Sequence, residues 1–151
     1  MAYQQQIDRY LAADIATRSK EWLVPLLYEH LVKHLRRMEL AIERKDSALQ
    51  ASAAAKASDI LYELLGTLNV EAAPQIARPL ASLYAFHVAE LLRIGRSRDA
   101  SALRRVIAIC ADLQGAWTQA AEQVAPRQAA QSRAMALRRR LAGRLARRDR
   151  S

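Results

Sequence analysis

From Ser19 onward the large apolar residues advance in steps of three or four: Val24, Leu27, Leu31, Leu35, Met38, Ile42. Such steps keep them on one face of an α-helix, and serine is a good N-cap, so the pattern predicts a first helix from Ser19 to about Arg44. Pro25 falls about six residues past that cap, where its ring would crowd the preceding turn. Either the helix bends there or its regular part begins beside it. After Lys45-Asp46-Ser47 a second stripe, Leu49, Ala53, Ala57, Ile60, Leu64 and Leu68, runs to Asn69. Pro74 and Pro79 mark the start of a third helix with the stripe Ile76, Leu80, Leu83, His87, Leu91, Ile94. It is expected to stop at Gly95, a natural C-cap. Arg98-Asp99 opens a fourth, where Leu103, Val106, Cys110, Leu113, Trp117, Ala120 and Val124 alternate three and four as in a heptad seam. Pro126 is expected to close it.

Four amphipathic helices joined by short connections must pack with neighbours antiparallel. The fold class is therefore all-α: an antiparallel up-down four-helix bundle over residues 19–125. It is preceded by an N-terminal arm, residues 1–18, and followed by a basic C-terminal helical tail, residues 126–151. The arm spaces Tyr3, Ile7 and Tyr10 by four and three, with Ile15 after them, which suits a short adhesive segment.

Composition agrees with helices, since the apolar share of 52% is rich in alanine and leucine while aromatics make up only 5%. At 151 residues the chain can bury one core. Its longest apolar run, Trp22 to Tyr28, is seven residues against the roughly 18 that suggest a membrane span. The start of the chain lacks the order of a secretion signal, and the lone Cys110 sits in an apolar run as a buried thiol would, so a reducing, cytoplasmic setting is expected.

The net charge of +9 changes meaning when divided at Pro126. Residues 126–151 hold nine arginines against one aspartate, and the body before them balances to +1. The charge belongs to the tail.

Nothing in the chain is built to catalyse. There is no phosphate loop, no nucleophile elbow and no carboxylate-histidine metal pattern, and no cofactor is expected. His30 and His34, one turn apart, lack a third ligand, so they are read as flank residues and His87 as a satisfied bundle histidine. Metal binding is not expected. The stronger signal is surplus apolar surface: Leu61 and Leu65 stand beside the second stripe, and Ile107 and Ile109 beside the fourth. That surplus means either a fatter core or a groove for an amphipathic partner segment.

A set of segments resembles one known family: Leu27-Tyr28-Glu29, Ala41-Ile42-Glu43 with Lys45-Asp46, Lys56 through Leu64, Leu68-Asn69, Ile76-Ala77, Leu80 through Phe86, Asp99, Leu103, Val106-Ile107 and Ala116-Trp117. In order and almost without gaps, over about residues 10–122, they are similar to the flagellin export chaperone (FliS) family. The resemblance implies a helical bundle acting as a cytoplasmic chaperone. It would bind the disordered C-terminal segment of flagellin, prevent early polymerisation and deliver it to a protein of the flagellar type III export gate. Leu61, Leu65, Tyr84, Ile107 and Trp117 are the candidates for a flagellin-binding groove, and Ile7, Tyr10 and Ile15 for the arm that takes part in export-gate docking. The exposed grooves also admit a homodimer of the free chain. Three departures from the family pattern, Lys20 for a proline, His30 for a glycine and Ala89-Glu90 for two arginines, leave the client less defined than the fold.

The tail places Leu137, Leu141 and Leu145 on one face amid Arg138, Arg139, Arg140, Arg144, Arg147 and Arg148, a basic amphipathic helix weakened at Gly143. It reads as a solvated appendage, as a contact for an acidic export component or anionic lipid, or as a nucleic-acid contact. Lack of an aromatic for base stacking weighs against the last. The rival function is thus a nucleic-acid or membrane-surface adaptor acting through the tail.

Overall fold

The computed structural model describes residues 22–148, with residues 125–129 described by backbone alone. The expected arm, with Ile7, Tyr10 and Ile15, and the expected cap at Ser19 lie outside the described residues. Four helices follow in order: α1 (Leu23–Glu43), α2 (Ser47–Thr67), α3 (Pro74–Ser97) and α4 (Ala100–Arg148). Pro25 is the third residue of α1, where its missing N–H has no intrahelical acceptor to lose, so the regular helix begins beside it.

The connections are short because side chains and backbone close each end. Beyond α1, Lys45 adopts a left-handed φ of 56°. Its N–H reaches the Ile42 carbonyl at 3.2 Å, and the Asp46 N–H reaches Ala41 at 2.9 Å, the paired bonds of a Schellman motif. Asp46 then caps α2, its carboxylate accepting from the Leu49 N–H at 3.0 Å. Asn69 turns the chain toward Pro74, the first residue of α3, by accepting from the Ala72 N–H at 3.1 Å.

Two expected helix ends are corrected. Gly95 does not end α3, which continues to Ser97, and Arg98 takes the left-handed cap with φ 56°. A glycine inside a helix costs only about 1 kcal/mol relative to alanine, which packing overrides. The turn waits for Asp99, whose carboxylate accepts from the Ala102 N–H at 3.0 Å and caps α4. Nor does Pro126 close α4, which runs unbroken for 49 residues. Proline deprives the Glu122 carbonyl of its donor, but Glu122 is exposed and water can take that place.

The helices pack in cyclic order: α1 against α2 and α4, α2 against α3, and α3 against α4 most loosely. The core joins Tyr28, Leu31, Leu35 and Met38 to Ile60, Leu61 and Leu64, to Tyr84, Leu91 and Ile94, and to Leu103, Val106 and Cys110. Along α4 the heptad seam holds only for its first half. Cys110 is buried, yet Ala121 replaces Ala120 inside and Val124 is exposed, as expected when a straight helix drifts against a 3.5-residue repeat. His30 and His34 are also buried, not on the flank, and His87 is buried with no hydrogen bond to either ring nitrogen, so it is not the satisfied histidine expected.

Candidate client-binding groove

The five expected groove residues do not form one exposed surface. Leu61 and Tyr84 are each 1% exposed and Ile107 is 8% exposed, so all three belong to the core. Leu65 and Trp117 lie half-buried at its edge. A bundle helix touches two neighbours as well as the centre, so its buried arc spans more than one stripe and takes in the positions read as surplus.

Of these residues, Tyr84 sits in an organised polar setting. The Trp117 indole lies beside the Tyr28 hydroxyl, which is hydrogen-bonded to the Tyr84 hydroxyl. Either hydroxyl of the tyrosine pair can be the donor in that bond. The two tyrosine rings tilt 54° at a centroid distance of 6.3 Å. Burial, reinforced for Tyr28 by the bond to Tyr84, pushes both phenols above their usual range, so the pair stays neutral. The tyrosine pair fastens α3 to α1.

What remains open is the outer edge of the α3–α4 seam. Glu90 on α3 feels the positive charge of Arg105 on α4, so the two lie on facing flanks of these antiparallel helices. Ile76, Leu80 and Leu83 continue the same side of α3, and Leu113, Ala116 and Ala120 the same side of α4. Exposure rises along this edge away from the Arg98–Asp99 turn. Ile94 and Ala102 are buried, Leu83 and Leu113 are intermediate, and Ile76 and Val124 are 59% and 39% exposed. Ile109 is exposed on the same flank, and exposed Ala116 and Ala120 leave space where larger side chains would close the seam. The result is an apolar edge that is left partly uncovered. Sequence reading missed Ile76, Leu83, Ala116 and Ala120 as its walls; alanines at two successive turns of α4 opposite large α3 residues were the available signal.

Elsewhere α3 carries a shallow depression lined by Ala89, Leu92, Arg93, Arg96 and Ser97. At its margin Arg93 clasps Glu90 through two bonds of 2.9 and 3.2 Å, holding that carboxyl below its usual range. Cys110 is buried, and desolvation pushes its thiol up to about 12. Among the described residues no group of three or more His, Cys, Asp and Glu could hold a metal, and no helix is long and apolar enough to cross a membrane. The six expected tail arginines all lie exposed on the far part of α4.

The model of one family, flagellar protein FliS, matches residues 3–124. The chain belongs to the FliS family. Among FliS relatives, the flagellar secretion chaperone FliS of Vibrio cholerae serotype O1 is 25% identical over 107 residues, which span 71% of this chain and 79% of that protein. The FliS match takes in α1 to α3 and the bundle part of α4, and stops two residues before Pro126. Residues 125–151, the strongly basic stretch, lie beyond it.

Proposed function

We propose that this chain is a cytoplasmic flagellar export chaperone. It receives the disordered C-terminal segment of flagellin, keeps it from polymerising and delivers it to the flagellar type III export gate. Membership of the FliS family carries this reading. The open apolar edge between α3 and α4 supports it physically. An amphipathic client segment can lay its apolar side against Ile76, Leu83, Ile109 and Leu113, and so hide the surface through which it would self-associate. Trp117 contributes at the margin and Leu61, Tyr84 and Ile107 lie in the core behind it, whereas Leu65, on α2, stands away from this edge. The N-terminal residues Ile7, Tyr10 and Ile15 take the docking role. Catalysis has no part in this work.

Titration calorimetry of the full chain with a flagellin C-terminal peptide tests the proposal. Ala116→Arg and Ile109→Asp both alter exposed positions, so the bundle remains folded by circular dichroism. Each is expected to weaken binding at least about tenfold, the effect of losing one well-packed contact. Unchanged affinity in both variants would remove the groove from the mechanism, and absence of binding by the parent chain would remove flagellin as client.

A further inference from the structure

The part of α4 beyond the family match has no place in the bundle. From Ala130 to Arg148 every described residue is exposed except half-buried Gly143. Leu137, Leu141 and Leu145 are 59%, 50% and 63% exposed on a helix with no packing partner among the described residues. They advance four residues at a time and so lie along one arc of less than a quarter-turn. Arg138 borders this arc on one side and Arg144 and Arg140 on the other, and residues 125–148 contain no acidic side chain.

We infer that this helix is a membrane-surface anchor, lying in the interface of an anionic bilayer with its leucines among the acyl chains and its arginines on the lipid phosphates. Charge complementarity selects that occupant. A second copy of the same helix would bring arginine against arginine, with no acidic residues to pair them. The bundle itself is close to neutral, so it supplies no net negative charge to hold the helix. Nucleic acid would engage the arginines but leave the leucine stripe in water, and the segment has no aromatic side chain to stack on bases. Only an interface that is both anionic and apolar uses both sets of residues. The helix lies on the bilayer and does not span it, because its arginines recur on nearly every turn. The anchor would hold the bundle, and any client in its groove, at a membrane surface.

Flotation of the full chain with vesicles tests this. One set is phosphatidylcholine alone; the other contains about one-third phosphatidylglycerol. A leucine variant carries Leu137→Gln, Leu141→Gln and Leu145→Gln; an arginine variant carries Arg138→Gln, Arg139→Gln and Arg140→Gln. All six sites are exposed, so the bundle is unaffected and serves as its own folding control. The parent is expected to float with the anionic vesicles only, and each variant to bind at least about tenfold more weakly. The anchor is overturned if the parent does not float with anionic vesicles, if the leucine variant floats as well as the parent, or if single-stranded RNA competes the parent off the vesicles at sub-stoichiometric phosphate. The last two outcomes would mark the segment as a polycation without an apolar function.

Discussion

Acid should loosen this bundle before its carboxylates titrate, and His34 is the reason. The imidazole is buried on α1, and its Nδ1 has no hydrogen-bond partner. Burial, followed by the charges of Lys56, Arg37, Lys33 and His30, holds its pKa down at about 4 against 6.5 for a free histidine. In the folded chain the group resists protonation, while in the unfolded chain it protonates freely. The stability present above about pH 6.5 is therefore lost progressively as pH falls toward 4. At about pH 5 the linkage relation gives a loss of about 2 kcal/mol. His87, depressed in the same direction by burial, adds to it. For a domain whose whole stability is about 5–15 kcal/mol this is a large fraction, and it corresponds to a fall of about 1 M in the urea midpoint. Urea titrations followed by circular dichroism, at closely spaced values from about pH 7.5 to 4.5, would measure it. The half-buried carboxyls of Glu90 and Asp99 are both held below their usual range, so they titrate beneath this window. His34→Gln should flatten the upper part of the curve. A midpoint constant between about pH 7 and 5, or an unchanged slope in His34→Gln, would refute the reasoning.

Much of the fold is legible because the helices are amphipathic: Leu27, Leu31, Leu35 and Met38 were placed on one face by spacing alone, and all four are buried. Asp46 and Asp99 announce their helices because a capping carboxylate acts within three residues. The errors share a cause. Gly95 and Pro126 carry local penalties of about 1 and 3 kcal/mol, and a local penalty does not end a helix whose neighbours favour continuing it. Helix-forming Ala, Gln, Arg and Leu flank Pro126 on both sides, and past the bundle no tertiary contact opposes them. The groove was harder still. Whether Ile107 or Ile109 faces solvent depends on which flank of α4 meets α1, a property of the packing and not of the stripe: Ile107 is buried and Ile109 exposed. A helical wheel shows how wide an apolar arc is, whereas only the assembled bundle shows which edge of it goes uncovered.

Two further substitutions probe features that spacing could not reveal. Arg98 holds φ at 56° to end α3, a conformation costing a side-chain-bearing residue about 1–2 kcal/mol. Arg98→Gly should raise the thermal midpoint by a few degrees, part of the gain being offset by glycine's greater freedom when unfolded; a lower midpoint would mean that the Arg98 side chain holds the turn. The tyrosine pair makes a sharper demand. Tyr84→Phe strands the Tyr28 hydroxyl in the core, and Tyr28→Phe strands the Tyr84 hydroxyl. Each should cost about 1–3 kcal/mol in urea unfolding. Removing both hydroxyls leaves neither phenol with a lost partner, so the double variant should be clearly more stable than the sum of the single losses predicts. Strict additivity would mean that the two hydroxyls do not depend on each other, and that α3 is held to α1 by packing alone.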